Sequence, residues 1–213
     1  MPKPKIKICG ITTSDALDAA IAARAEYCGF NFYPPSPRYL ASQDAAALGA
    51  RAGDRITTVG VFVDPSDELL AETVGPARLD AIQLHGSETP ERAAQLKSRF
   101  GLPIWKVISV SSAEHINNAD AYQGTADFIL FDAKTPKGAL PGGMGLTFDW
   151  SLLPSYRGSL PWGLAGGLSP VNVAEAAQLT GAPLVDASSG VESAPGVKDV
   201  DKIAAFCKAA RIL

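Results

Sequence analysis

The chain has 213 residues, 46% hydrophobic and 19% charged, which excludes a disordered polymer and suits one domain, 1–213, with a sizeable core. Its formal net charge of -3 gives no electrostatic reason to expect nucleic acid or an anionic membrane as partner. No run reaches the ~18 apolar residues of a spanning helix, and three cysteines without a CxxC pair argue for a reducing compartment, so a cytoplasmic protein is expected.

Short β-branched or aromatic runs alternate with longer alanine-rich amphipathic stretches. Residues 5–10 read as strand and 14–25 as helix; 27–33 as strand and 42–52 as helix; 57–64 as strand and 66–74 as helix. The pattern continues with strand 81–85 and helix 90–100, strand 104–110 and helix 112–119, then strand 127–134. Strand 162–165 precedes helix 170–179, and strand 184–187 precedes helix 199–210. Ser14, Ser42 and Ser169, the last followed by Pro170, are the expected helix caps. Eight strand-like runs, each followed by a crossover, predict an α/β fold of the single (β/α)8 (TIM) barrel type. The competing open doubly wound sheet would carry GxGxxG after its first strand, and Cys9-Gly10-Ile11-Thr12 is not that.

Side chains alternate along a strand, so parity predicts facing. Ile6, Ile8, Ile82, Leu84, Ile129 and Phe131 should meet the helices. Lys7, Cys9, Gln83, His85, Leu130 and Asp132 should face the lumen, with Leu184 and Asp186 sharing a face of the eighth run. Buried Lys7, Gln83, Asp132 and Asp186 would be costly unless paired with one another or with a ligand. The polar and glycine-rich breaks all follow the strand runs, where barrels place their chemistry. Gly166-Gly167 and Ser188-Ser189-Gly190, after the seventh and eighth runs, fit the usual barrel phosphate site, although glycine and serine also serve plain turns. Asp186 is read either as holding a ribose hydroxyl or as a structural partner of Lys7. His85 is read as a lumen hydrogen-bonder without catalytic role. Metal-ligand spacing is absent, the two histidines being His85 and a helical His115. Cys28 and Cys207 read as small buried hydrophobes.

From KICGIT (7–12) onward the sequence resembles the phosphoribosylanthranilate isomerase family. The likeness continues through GFNFYPPSPRYL (29–40), VGVFVD (59–64), QLHG (83–86), FDAK (131–134), GGMGLTFDW (142–150), LAGGLSPVNV (164–173) and DASSGVE (186–192). It spans nearly the whole chain in the family's order. The resemblance implies a (β/α)8 barrel that converts N-(5-phosphoribosyl)anthranilate, a small phosphorylated ribosylamine, by Amadori rearrangement in tryptophan biosynthesis, with no metal or organic cofactor. It implies Cys9 as base, Asp132 as acid, and Arg38, in the stiff loop after Pro34-Pro35-Ser36-Pro37, as the clamp on the anthranilate carboxylate. Met144 and Leu146 stand where the family's sixth loop, which the resemblance implies folds over the substrate, usually has threonine and lysine.

The chemistry sets opposite demands on the pair. A thiol titrates near ~8.5 and must lose its proton, which the Lys7 cation would favour; a carboxyl titrates near ~3.9 and must keep one, which burial or Asp186 would favour. A ribulose-phosphate epimerase, an indole-glycerol-phosphate synthase relative and a non-catalytic phosphosugar-binding module are the rival functions. Nothing in the sequence separates monomer from homodimer.

Overall fold

In the computed structural model of the protein, residues 3–133 and 145–212 are described. The β-branched and aromatic runs pair in parallel, each strand hydrogen-bonded to the next. The strands are β1 Lys5–Cys9, β2 Tyr27–Asn31, β3 Thr57–Phe62, β4 Ala81–Leu84, β5 Ile104–Val110, β6 Phe128–Ala133, β7 Trp162–Leu164 and β8 Leu184–Ala187. Pairing of β8 with β1, with Lys7 opposite Asp186, closes these eight strands into a barrel in sequence order.

Seven α-helices are described: α1 Ser14–Ala22, α2 Ser42–Ala52, α3 Asp67–Thr73, α4 Pro90–Phe100, α5 Ala113–Asn117, α6 Val173–Thr180 and α7 Val200–Ala209. Between β6 and β7 the described residues form a short 3-10 helix, Trp150–Ser155. The sequence located these helices but not all their starts. Thr13, not Ser14, caps α1 by accepting from the Ala16 amide; α2 begins after Ala41 with no side-chain cap. α6 begins three residues beyond Pro170, because Asn172 Oδ1 accepts the Ser169 amide and makes that segment a turn. Ser66, Thr89 and Asp199 cap α3, α4 and α7 through their side chains.

Parity sorts the strand residues as expected. Ile6, Ile8, Ile82, Leu84, Ile129 and Phe131 join the apolar layer between barrel and helices, the larger core. A second, smaller core fills the lumen with Val59, Ala81, Trp105, Val107, Leu130, Ala165 and Leu184. Trp105 packs against Tyr27 and Phe128, ring centroids 5.1 and 4.4 Å away, and plugs the amino end of the barrel. Above this plug the lumen turns polar, with Lys7 and Gln83 fully buried. The polar layer opens at the carboxyl end of the strands.

One element was not foreseen. After β8 the chain makes a 3-10 turn, Ser189–Val191, and then a two-stranded antiparallel hairpin, β9 Glu192–Ala194 and β10 Val197–Lys198. The hairpin folds back against the loop after β2, where Gly196, at φ +82°, sits so close to Pro37 that a Cβ would lie 2.3 Å from the Pro37 carbonyl oxygen.

Candidate active site

A pocket lies at the carboxyl end of the barrel. Cys9, Arg38, Asp132, Gly166, Gly167, Asp186, Ser188 and Ser189 all line it. Gly190 does not; it sits behind, where a Cβ would lie 2.0 Å from the Leu168 carbonyl oxygen, so its bare backbone lets the loops after β7 and β8 touch. Asn31, Ser36, Gln83 and His85 complete the polar wall.

Cys9 ends β1, and its thiol reaches the pocket because residue 29 on neighbouring β2 is glycine. A Cβ there would lie 2.8 Å from Cys9 Sγ and 3.3 Å from Lys7 Nζ. Lys7 Nζ donates to Asp186 Oδ2 at 3.0 Å. Burial would lower the Lys7 ammonium, but the charges of Asp186 and Cys9 outweigh it and hold it above the usual lysine range. Burial pushes the Asp186 carboxyl up against the pull of Lys7. The expected lowering of the Cys9 thiol does not win. Lys7 and Lys198 pull its titration down, yet burial dominates and raises it. Burial also lifts Cys28 to about 12 and Cys207 to about 11, in keeping with two inert core thiols.

Asp132 is the penultimate residue of β6, three strands round the barrel from β1. Its Oδ1 accepts the Ala133 amide at 2.8 Å, and its Oδ2 lies 3.3 Å from His85 Nε2. His85, foreseen only as a lumen hydrogen-bonder, is thus the immediate neighbour of the carboxyl. Two buried acceptors, Gln83 Oε1 and Asp186 Oδ1, have no hydrogen-bond partner among the described residues, so the pocket floor can accept from hydroxyl groups.

Gly166 and Gly167 follow β7 with φ of +89° and +64°, left-handed values that glycine adopts without strain, and both line the pocket. Ser188 and Ser189 lead into the 3-10 turn beside them. Leu146, 37% exposed, belongs to the segment whose backbone rests on Gly167; Met144 and Lys134 lie outside the described residues.

Arg38 is delivered by a loop that Asn31 and Ser36 shape. Asn31 Oδ1 accepts the Tyr33 amide at 2.8 Å, and Ser36 Oγ accepts the Arg38 amide at 3.1 Å. Its guanidinium does make the expected two-pronged carboxylate pair, but with Glu192 of the chain itself, at 2.7 Å through both Nε and Nη2. Sequence reasoning passed over Glu192 and its second partner Lys198. The dipeptide Pro195-Gly196 was the available signal for the turn between them.

Among the described residues no three His, Cys, Asp or Glu side chains gather where they could hold a metal ion. Nor is any described helix long and apolar enough to cross a membrane. A closed (β/α)8 barrel, with a thiol and a carboxyl at the carboxyl ends of β1 and β6 and glycine- and serine-bearing loops after β7 and β8, defines the class: a barrel enzyme built for a small anionic ligand.

Comparison with known proteins narrows the class. Residues 6–209 match the model of the family described as N-(5'phosphoribosyl)anthranilate (PRA) isomerase. An N-(5'-phosphoribosyl)anthranilate isomerase of Paramagnetospirillum magneticum is 55% identical over 208 residues, covering 97% of each chain. The crystal structure of phosphoribosyl anthranilate isomerase from Thermotoga maritima is 36% identical and superposes with a TM-score of 0.89, covering 99% of this chain and 100% of that one. A complex of such an isomerase with reduced 1-(o-carboxyphenylamino)-1-deoxyribulose 5-phosphate is 34% identical with a TM-score of 0.86, covering 99% of this chain and 100% of that one. The chain belongs to the N-(5'-phosphoribosyl)anthranilate isomerase family.

Proposed function

We propose that Cys9 and Asp132 divide between them the two proton transfers that turn N-(5'-phosphoribosyl)anthranilate into 1-(o-carboxyphenylamino)-1-deoxyribulose 5-phosphate, the isomerisation of tryptophan biosynthesis. The observation that carries this reading is their shared pocket: one group ends β1 and the other stands at the carboxyl end of β6, both lining the same cavity.

Protonated Asp132 gives its proton to the furanose ring oxygen as the C1–O bond breaks, leaving an open-chain iminium. Cys9 thiolate then takes the C2 proton, and the C–H electron pair neutralises the iminium as an enolamine. Loss of the enol proton and protonation of C1 give the ketone, so the net change is an isomerisation. Burial raises the thiol in the empty pocket, so the thiolate forms by release of the sulfur proton to solvent, favoured by the iminium cation once substrate is present. With Oδ1 of Asp132 occupied by the Ala133 amide, the transferable proton belongs on Oδ2, beside His85. The phosphate sits on the amides and hydroxyls of Gly166, Gly167, Ser188 and Ser189, with Gly190 holding the two loops together. Asp186 and Gln83 accept from ribose hydroxyls, and Arg38 faces the anthranilate carboxylate. The whole chain, 1–213, works as one catalytic domain, as monomer or homodimer, and its three free thiols suit a reducing cytoplasm.

A coupled assay supplying anthranilate, phosphoribosyl pyrophosphate and the transferase, with the following synthase as reporter, tests the roles. Cys9→Ala and Asp132→Asn should each lower kcat by about 10²–10⁴-fold while the reduced product analogue still binds. Near-parental turnover in either variant would remove that residue from the mechanism.

A further inference from the structure

The carboxylate of Glu192 is held by two cations and a backbone amide. Its Oε1 accepts from Arg38 Nε at 2.7 Å and from Lys198 Nζ at 2.6 Å. Its Oε2 accepts from Arg38 Nη2 at 2.7 Å and from the Gly196 amide at 3.3 Å. All four lone-pair positions of the carboxylate are therefore used. The side chains of Glu192 and Lys198 are 4% and 1% exposed, and neither lines the pocket that Arg38 faces. Lys198 also donates to the Ser188 carbonyl at 3.1 Å, in the loop assigned to phosphate. Two glycines make the assembly fit: a Cβ on Gly10 would lie 2.7 Å from Arg38 Cδ, and one on Gly196 would meet the Pro37 carbonyl oxygen.

We propose that Glu192 and Lys198 are positioning residues that make Arg38 a preorganised receptor for the substrate carboxylate. Glu192 locks one edge of the guanidinium, and Lys198 balances Glu192, so the cluster keeps one net positive charge toward the ligand. The inference rests on the reading that Arg38 faces the anthranilate carboxylate. Without Lys198, the charge of Glu192 would cancel that of Arg38. Without Glu192, the guanidinium would lose its two-pronged anchor and two buried cations would face each other. Rigidity here adds to affinity because little side-chain freedom remains to be lost on binding. Burial alone would raise the Glu192 carboxyl, yet its two cations hold it below the usual glutamate range.

Two probes test this: the reduced product analogue, and the same molecule with phenylamino in place of o-carboxyphenylamino. The parental protein should prefer the carboxylated one. Lys198→Met should cut that preference by about tenfold, and Lys198→Arg should restore it. Glu192→Met with Lys198→Met keeps the net charge but unlocks Arg38, and should lose the preference too. In both cases the phenylamino analogue should lose less affinity than the carboxylated one. Equal loss of both affinities, or full preference retained in the double variant, overturns the inference while leaving the carboxylate reading standing. No preference in the parental protein overturns both. Should the variants not fold, the Arg38 Nε–H nuclear resonance of the unaltered protein decides. It should stay slow to exchange when the carboxylated analogue binds, and release into rapid exchange would mean the ligand displaces Glu192.

Discussion

The thiol of Cys9 is held between opposing influences. Lys7 and Lys198 favour sulfur as an anion, and burial favours it as a neutral thiol; burial prevails. The titration is raised, so the thiolate fraction in the empty pocket is small at neutral pH and grows about tenfold per pH unit until the raised value is passed. Site-resolved alkylation with iodoacetamide should show this. The Cys9 rate should rise throughout pH 7 to 9 and be suppressed by the reduced product analogue. A rate already level at pH 7 would mean a preformed thiolate and a base that needs no help from substrate. Parity alone was enough to aim Lys7, Cys9 and Asp132 into the lumen. The balance between charge and burial at sulfur was not legible, because it depends on how tightly β2, through Gly29, closes over the group.

At the scale of elements, the strands and most helices were legible because apolar spacing follows the barrel's own periodicity. Ile82 and Leu84 on one face and Gln83 on the other need no tertiary information. The β9–β10 hairpin escaped because Glu192–Ala194 and Val197–Lys198 are too short to show an alternation, and their partners are distant in sequence. With the hairpin went the role of Glu192, which holds Arg38 from 154 positions away. Arg38 was recognised as a carboxylate clamp, but its first carboxylate is internal. Loop contact also explains Gly190, whose place was foreseen and whose reason was not. A side chain there would collide with the Leu168 backbone, so only glycine lets the two loops touch. Gly190→Ala should force the loops after β7 and β8 apart and raise KM by about tenfold or more, with a smaller change in kcat. Steady-state kinetics check this. An unchanged KM would separate those loops from phosphate binding.

Across the whole molecule, the barrel is layered along its axis. Tyr27, Trp105 and Phe128 seal the amino end, the Lys7–Asp186 pair joins first strand to last in the middle, and the titratable groups gather at the carboxyl end. The apolar plug keeps water from the base of the site, which strengthens every charge interaction above it. Cys9 and Asp132 come from strands far apart in sequence, and only closure of the sheet brings them into one pocket. Their placement about one ligand is the claim on which the proposed chemistry stands. A crystal structure of the protein with the reduced product analogue measures it directly. Cys9 Sγ should lie about 3–3.5 Å from C2 of the sugar chain, with the Asp132 carboxyl within hydrogen-bonding reach of the oxygen on C4. An analogue bound with its C2 turned from sulfur, or with both groups on the same side of the chain, would contradict it.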